Sequence, residues 1–280
     1  MPDTSQWFTE TSDATGSGFA LRVRRKLHEE QSRYQKIEIY ETTDWGNLMV
    51  IDDCIMLTTR DNFLYHEMMS HPALFTHPDP KRVVIIGGGD CGTLREVLRH
   101  PGVRQVTQID IDERVTRLSE TYFPELCESN DDPRAELLFI DGIKWMQQAE
   151  AASIDVIIVD STDPVGPGEV LFSEEFYRAC HDALQPDGLI VQQSESPLLH
   201  RALLKRIRHD MVSAGFAGTR TLQFPQPVYP GGWWSATMAM SLSAWPEPRY
   251  AEMAKTAGMR YFNRAIFDAA LALPAFMTEE

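Results

Sequence analysis

The sequence predicts an α/β fold: a mostly parallel β-sheet with helices on both faces, preceded by a small antiparallel β domain. Two observations predict the sheet. Residues 83–86 are four branched aliphatic side chains in a row, which is typical of a strand buried on both faces. Strand-like and helical segments then alternate as far as residue 214, and such alternation is typical of parallel strands joined by crossover helices.

The first 60 residues follow a different pattern. Residues 36–41 alternate between apolar and polar, and short apolar runs at 48–51 and 54–57 are separated by turns rich in Asp. This pattern predicts hairpins. We therefore expect an N-terminal β-hairpin domain at residues 1–60 and a larger, Rossmann-like α/β domain at residues 61–280.

The elements of the larger domain follow from the hydropathy pattern. Asp61 is a candidate N-cap for a first helix, and Pro72 is expected to lie in the connection after it. The predicted parallel strands are residues 83–86, 106–109, 136–140, 156–159 and 189–192. The predicted helices between and after them are residues 93–99, 113–122, 144–149, 174–183 and 199–214. Two late segments, 219–224 and 234–242, predict an antiparallel pair at an edge of the sheet.

A glycine-rich turn follows the first predicted parallel strand. Gly87, Gly89 and Gly92 have the spacing G-x-G-x-x-G, and helical spacing resumes directly after them. Asp110 ends the next apolar segment, about 20 residues further on, where such folds place an acid for ribose hydroxyls. A strand, glycine turn, helix, strand and acid in this order predict a nucleotide or nucleoside site in a Rossmann-like domain.

Composition and charge narrow the classes of partner. The net charge of −15 over 280 residues disfavours nucleic acid and anionic membranes and favours small cationic partners. The four cysteines have neither C-x-x-C pairs nor metal-ligand spacing, so we expect reduced thiols in the cytoplasm and no metal site. No basic, apolar leader is visible at the start, and no apolar run approaches the roughly 20 residues of a membrane span.

Carboxylates follow the predicted strand ends repeatedly. These acids are Asp90, Asp110, Asp141, Asp160 and Asp163. In an open parallel sheet, ligands bind beyond the carboxyl ends of the strands, so the five acids are expected to face one crevice. Because crowded anions cost free energy unless a cation is bound, the crevice is predicted to take a cationic ligand.

Several segments together resemble a known family. They read IIGGGD at 85–90, DID at 110–112, DDPR at 131–134, DG at 141–142, DSTDPVGP at 160–167, YQ at 34–35, YHEMM at 65–69 and YPGG at 229–232. In this order they resemble the spermidine synthase (polyamine aminopropyltransferase) family, whose catalytic domain has a methyltransferase-like Rossmann fold.

The resemblance implies transfer of an aminopropyl group from decarboxylated S-adenosylmethionine to putrescine, which yields spermidine and methylthioadenosine. The donor is then a co-substrate, and neither a cofactor nor a metal is implied. Cadaverine, agmatine and spermidine remain open as acceptors, because channel length is a three-dimensional property. The family also implies a homodimer or a higher homo-oligomer.

Roles for single residues follow from the resemblance alone. Asp160 would be the catalytic base, Asp110 would bind the ribose hydroxyls and Asp141 the adenine amino group. The implied nucleoside-binding residues are Gln35, Gly87, Gly89, Asp110, Asp141, Gly142 and Pro167. The implied polyamine-binding residues are Tyr65, His66, Asp90, Asp163, Gln193 and Tyr229.

Two positions depart from the family pattern. Asp110 stands where the family usually has Glu, and Cys91 stands where it usually has Gly. We expect Asp110 to keep the ribose role. Cys91 is expected to be a mostly protonated thiol that packs against the sheet and has no catalytic part, because nearby carboxylates disfavour a second anion.

Three other classes of function compete with this interpretation. An NAD-dependent dehydrogenase would use the same glycines, but Asp90 in the turn would repel a pyrophosphate. An S-adenosylmethionine-dependent methyltransferase shares the fold, but Asp90 would repel the carboxylate of its donor. A non-catalytic nucleoside-binding protein on this fold would leave Asp160 without a purpose.

Overall fold

The computed structural model describes residues 6–162 and 166–278, without the side chains of residues 166 and 167. A five-stranded antiparallel sheet is followed by a seven-stranded, mostly parallel sheet with helices on both faces. The predicted fold class is therefore confirmed.

The N-terminal sheet has its strands in chain order. The strands are β1 (Trp7–Ser12), β2 (Ser17–Gln31), β3 (Lys36–Thr42), β4 (Asn47–Ile51) and β5 (Cys54–Thr58). The sequence interpretation found β3, β4 and β5, and it missed β1 and β2, whose residues are mostly exposed and follow no clean apolar alternation. Asp52 and Asp53 both have positive φ, as the tight turn between β4 and β5 requires.

The second sheet carries the parallel strands. They are β6 (Arg82–Gly87), β7 (Gln105–Asp110), β8 (Ala135–Phe139), β9 (Ile154–Asp160), β10 (Leu184–Gln193), β11 (Gly218–Pro225) and β12 (Trp233–Met240). Their spatial order is β11-β12-β10-β9-β6-β7-β8. Strands β10, β9, β6, β7 and β8 are parallel, and β12 pairs antiparallel with both β10 and β11. The prediction of a late antiparallel pair at one edge is confirmed.

Helices cover both faces of this sheet. They are α1 (Asn62–Thr76), α2 (Gly92–Leu98), α3 (Glu113–Tyr122), α4 (Gly142–Gln147), α5 (Glu174–Ala183), α6 (Arg201–Ser213), α7 (Tyr250–Met253), α8 (Arg264–Leu271) and α9 (Ala275–Thr278). Alternate residues of β6 enter the two cores: Val83 and Ile85 pack with α1, α2 and α8, and Val84 and Ile86 pack with α4, α5 and α6. Across the described ranges, no helix is long and apolar enough to cross a membrane.

Helix α1 corrects two expectations. Asp61 precedes the helix, but its carboxylate makes no cap hydrogen bond. It accepts instead from Thr58 Oγ1 at 2.6 Å and from Gln226 Nε2 at 3.2 Å, so it links the helix start to a distant loop. Pro72 lies inside α1 and not in the connection after it. A proline there removes one backbone donor without ending the helix.

A buried carboxylate fastens α1 to the C-terminal part of the chain. Glu67 is 1% exposed. Its oxygens accept hydrogen bonds from the backbone N–H groups of Arg260, Tyr261 and Phe262 at 2.7, 2.9 and 2.7 Å. Because Tyr65 and His66 precede Glu67 on the same helix, this contact also helps to fix the position of those two side chains.

Candidate active site

The strand ends with polar side chains meet at one edge of the sheet. Strands β10, β9, β6 and β7 are neighbours, and Gly87 at the end of β6 lies opposite Asp160 at the end of β9. The carboxyl ends of parallel strands form the crevice in which folds of this class bind ligands. The candidate active site is therefore built from the turns that follow these strands.

The glycine turn after β6 allows a close approach of backbone and acids. Gly87 has φ +85°, and a Cβ on it would lie 2.1 Å from the carbonyl oxygen of Asp160. That same carbonyl accepts a 2.8 Å hydrogen bond from the N–H of Gly88. A side chain at Gly87 would therefore force β6 and the end of β9 apart, which explains the requirement for glycine.

The end of the turn packs against helix α1. A Cβ on Gly92 would lie 2.2 Å from the His66 ring, so this glycine makes room for that imidazole. Cys91 has φ +68°, a left-handed conformation that glycine adopts more easily. Its side chain is fully buried, and its Sγ accepts from Gln108 Nε2 at 3.5 Å. The expected burial of Cys91 is confirmed, and its lack of a catalytic part remains a prediction.

Asp160 is held by two hydroxyl groups. Tyr65 donates its hydroxyl to Asp160 Oδ1 at 2.7 Å, and Thr93 donates its hydroxyl to Oδ2 at 2.6 Å. Burial and the neighbouring Asp90 raise the pKa of Asp160 above its usual value, against the lowering effect of His66 and of both hydroxyls. The result is an oriented carboxylate with an increased affinity for a proton.

Asp90 has the opposite electrostatic environment. His66 Nε2 lies 3.2 Å from both of its carboxylate oxygens, and the N–H of Gly92 donates to Oδ1 at 2.6 Å. Burial alone would raise the pKa of Asp90, but His66 and this N–H outweigh it and lower the pKa. The pKa of His66 rises in return, because the attraction of Asp90 exceeds the effect of burial. Asp90 is thus a stable anion beside a more basic Asp160.

His66 is a buried neighbour of Asp90. Its side chain is only 2% exposed. It contacts Asp90 at 3.2 Å, and its predicted contact with a polyamine remains a prediction.

Asp110 ends β7 and lies against Gly89 of the glycine turn, and its predicted contact with the ribose remains a prediction. Its Oδ1 accepts from the N–H of Asp112 at 2.8 Å. Burial raises the pKa of Asp110 to about 6. Gln35 donates to Asp112 Oδ2 at 3.1 Å, and Ser32 donates to the same oxygen at 2.6 Å. These contacts bring the loop between β2 and β3 next to the end of β7.

The Asp141 carboxylate makes hydrogen bonds at the start of α4. Its Oδ1 accepts from the N–H groups of Ile143 and Lys144 at 3.1 and 3.2 Å, which caps α4. Burial acts to raise the pKa of Asp141, but the Lys144 ammonium and the capped N–H groups lower it. A Cβ on Gly142 would lie 3.0 Å from Ile86, so this turn packs tightly on β6. The predicted adenine contact of Asp141 remains a prediction.

A cavity opens beside Asp160 between the two sheets. Its lining combines acidic, aromatic and aliphatic side chains: Glu10, Cys54, Ile55, Met56, Tyr65, Ser161, Thr162, Gln193, Tyr229, Pro230 and Trp234. The Tyr229 hydroxyl donates to the carbonyl of Met56 at 2.6 Å. Its ring lies edge-on to Tyr65, with 5.7 Å between the centroids. Three of the predicted polyamine-binding residues, Tyr65, Gln193 and Tyr229, therefore share one cavity.

Two predicted residues cannot be placed. Asp163 lies outside the described residues. The side chain of Pro167 is not described, and its backbone belongs to the 3₁₀ segment Gly166–Phe172. Among the residues that the structure does describe, no group of three or more acidic, His or Cys side chains could hold a metal ion.

Two residues at the site were not selected from the sequence. Thr93 lies on α2, and its residue type and spacing in the sequence do not distinguish it from a helix residue without a role at the site. Glu10 lies on β1, and its Oε2 accepts from the N–H of Ile55 at 2.7 Å. Because β1 alternates exposed and half-buried positions, Glu10 and Phe8 share the inner face. An acid on the inner face of a strand is the signal that could have identified Glu10.

Comparisons with known proteins cover nearly the whole chain. Residues 62–245 match the spermine/spermidine synthase domain, and residues 6–59 match the spermidine synthase tetramerisation domain. A polyamine aminopropyltransferase of Methylococcus capsulatus is 60% identical over 276 residues, covering 99% of this chain and 97% of the relative. That of Thioalkalivibrio sulfidiphilus is 61% identical, covering 98% and 97%.

Solved structures agree with these sequence matches. A spermidine synthase crystallised with the transition-state analogue AdoDATO superposes with a TM-score of 0.93 at 35% identity, covering 99% of this chain and 95% of that one. The spermidine synthase of Thermotoga maritima gives 0.91 at 34% identity, covering 99% and 94%. Sequence, fold and site agree, and this chain is an alkyl-transferring enzyme that belongs to the spermine/spermidine synthase family of polyamine aminopropyltransferases.

Proposed function

We propose that the protein transfers the aminopropyl group of decarboxylated S-adenosylmethionine to putrescine, which yields spermidine and methylthioadenosine. The observation that carries the proposal is the contrast between Asp90 and Asp160 in one crevice. Asp90 is kept ionised by His66, and Asp160 is made more basic by burial and by Asp90. Two acids with diverging pKa values fit two tasks, one as a fixed anion and one as a proton acceptor.

The fixed anion fits the donor. A decarboxylated donor ends in an ammonium group, which an ionised Asp90 can bind by a charge-assisted hydrogen bond. The carboxylate of ordinary S-adenosylmethionine would meet a like charge there. Asp110 would accept the ribose hydroxyls, with Gln35, Gly87, Gly89, Asp141, Gly142 and Pro167 around the nucleoside.

The proton acceptor fits the amine. An alkyl amine is mostly protonated near neutral pH and cannot attack carbon until it loses a proton. In the transfer, the amine nitrogen forms a bond to the aminopropyl carbon while the carbon–sulfur bond breaks and sulfur keeps the electron pair. Asp160 accepts the proton that the amine nitrogen gives up. The sulfonium is already an activated leaving group, so we propose that no cofactor and no metal take part.

The cavity beside Asp160 supports a diamine as the acceptor. Its wall is largely apolar at Ile55, Met56 and Trp234, which suits a methylene chain, and it also carries the carboxylate of Glu10. A diamine presents a cation at each end of such a chain. Tyr65, Gln193 and Tyr229 line this cavity, and Asp163 is proposed to pair with an ammonium group of the acceptor.

We further propose a homo-oligomer in the cytoplasm. The match of residues 6–59 to a tetramerisation domain supports a homodimer or a tetramer. All four cysteines are free thiols, in keeping with a reducing compartment. Light scattering coupled to size-exclusion chromatography would test the assembly, and a monomer at micromolar concentration would refute it.

The decisive experiment uses a panel of amines. The protein is incubated with decarboxylated S-adenosylmethionine and putrescine, cadaverine, agmatine or spermidine, and the products are identified by mass. We expect methylthioadenosine in an amount equal to spermidine, with putrescine as the best acceptor. A parallel incubation with S-adenosylmethionine should yield little product. Methyl transfer at a comparable rate would overturn the proposal, and a better acceptor among the other amines would correct the substrate.

A further inference from the structure

Each oxygen of the Asp160 carboxylate accepts a hydroxyl from a different helix. Tyr65 comes from α1 and Thr93 from the first turn of α2, at 2.7 and 2.6 Å. Each carboxylate oxygen has two lone pairs, so with the described residues alone one on each oxygen remains for a substrate. The two hydroxyls together define the plane of the carboxylate.

The Thr93 hydroxyl does not make the backbone hydrogen bond that helical threonines often make; it donates to Asp160. A threonine inside a helix often donates to the carbonyl four residues earlier. Thr93 is the second residue of α2, so the residue four positions earlier, Gly89, lies before the helix, and its carbonyl accepts from Thr116 Oγ1 at 2.8 Å. Thr93 is fully buried. Valine would fill the same volume without a polar group to satisfy, so packing alone does not account for a hydroxyl here.

We propose that Thr93 is a positioning residue for Asp160. With Tyr65, it fixes the carboxylate plane so that the free lone pairs face the amine, and it favours the ionised form that accepts the proton. This inference rests on the proposed function, in which Asp160 is the base.

Other charged and titratable groups among the described residues also act on Asp160. Asp90 after β6 and Asp110 after β7 disfavour its charge, and His66 on α1 favours it. Tyr65 and Thr93 also favour the charged form, because a hydrogen bond to a carboxylate stabilises it. Loss of the Thr93 hydroxyl therefore raises the pKa of Asp160. Since the base must be ionised to act, the acid limb of the rate profile then moves to higher pH.

The experiment compares Thr93→Val with Thr93→Ser. The pH dependence of kcat is measured with decarboxylated S-adenosylmethionine and putrescine, and the binding of methylthioadenosine is measured by calorimetry. For Thr93→Val we expect the midpoint of the acid limb to rise by about one pH unit, so that kcat at pH values well below this midpoint falls roughly tenfold. Thr93→Ser should restore the wild-type limb, and nucleoside affinity should stay within about threefold in both, because the hydroxyl's hydrogen-bond partner among the described residues is Asp160.

Thr76→Val is the matched control. Thr76 is also a buried helical threonine, but its hydroxyl donates to the carbonyl of Pro72 at 2.7 Å, four residues earlier. The same substitution there should leave the acid limb where it is in the wild type. A wild-type limb in Thr93→Val, or equal shifts in Thr93→Ser and Thr93→Val, would overturn the positioning role.

A direct titration separates this inference from the proposed function. The carboxyl band of Asp160 can be followed by infrared difference spectroscopy against Asp160→Asn, without substrates. Thr93→Val should raise the titration midpoint of this band, and an unchanged midpoint would overturn the inference. If the wild type makes no aminopropyl product, the proposed function fails while this titration still decides the role of Thr93.

Discussion

Gly89 and Asp110 approach so closely that a Cβ on Gly89 would lie 2.7 Å from the Asp110 Oδ2 atom. The backbone of the glycine turn therefore rests against the acid that ends β7. This packing removes water from the carboxylate, and burial is the main reason why the pKa of Asp110 rises to about 6. An acid that titrates near pH 6 makes nucleoside binding sensitive to pH.

The first prediction concerns the affinity for methylthioadenosine. In the proposed function a pair of ribose hydroxyls donates to the ionised form of Asp110, so below pH 6 the ligand would have to displace a proton. We expect the affinity to be constant from pH 7 to 8 and to fall roughly tenfold per pH unit below 6. Calorimetry across this range measures it. Asp110→Asn should bind more weakly with a flat profile, and a flat wild-type profile down to pH 5 would contradict the ribose role.

The second prediction concerns the base. Asp160→Asn keeps the shape of the side chain and removes its ability to accept a proton. We expect kcat to fall by about 100-fold or more, with methylthioadenosine affinity nearly unchanged because the residues proposed to bind the nucleoside, Asp110 and Asp141, are intact. Single-turnover measurements at pH 7.5 and calorimetry check the two quantities. A variant with near-normal turnover would assign the proton to another group.

The third prediction concerns Glu10 in the cavity between the sheets. Loss of its charge should weaken the binding of a diamine and leave the donor unaffected. For Glu10→Gln we expect the half-saturating putrescine concentration to rise about tenfold or more, since a hydrogen bond to a charged group is lost. Asp13→Asn, at an exposed position in the turn after β1, is the control for net charge. An equal rise in both variants would show only a long-range effect of charge.

The fourth prediction concerns the left-handed backbone at Cys91. At φ +68° a residue with a Cβ has about 1 kcal/mol of backbone strain that glycine does not have. We expect Cys91→Gly and Cys91→Ala to keep turnover within about threefold, since neither removes a group that contacts the reacting atoms. The Gly variant should be more stable than the Ala variant by about 1 kcal/mol in urea unfolding. Greater stability of Cys91→Ala would show that the lost packing of the side chain outweighs the strain.

The accessibility of the same thiol gives an independent check. Cys91 is fully buried at the end of the glycine turn. Iodoacetamide should therefore label it slowly, and methylthioadenosine should slow the labelling further. Fast labelling at a rate that methylthioadenosine does not change would show that the turn has a different conformation from the one described.

The sequence predicted the site residues that directly follow or end a strand. Gly87, Asp110 and Asp160 each stand at the end of an apolar strand, and strand order then brings them together. Thr93 could not be found in this way, because its contact with Asp160 spans 67 residues and depends on how α2 packs. Glu10 was missed for a similar reason, since its strand became evident only once β2 paired with it.

Other misses have equally specific causes. A proline usually signals the end of a helix, but α1 continues through Pro72. Asp61 has the right residue type and position for a cap, but the hydroxyl of Thr58 and the amide of Gln226 engage its carboxylate. For Asp61, the contact with the distant Gln226 is one that the local sequence could not predict.

The three hydrogen bonds that Glu67 accepts have a consequence for synthesis on the ribosome. Their donors at residues 260–262 follow Glu67 by 193 to 195 positions. At about 5–20 residues per second, the ribosome makes α1 roughly 10–40 s before its anchor. During that interval a buried carboxylate has none of these donors, and the helix that carries Tyr65 and His66 is held less firmly. The nascent chain therefore completes the geometry around Tyr65 and His66 only after residues 260–262 have been made.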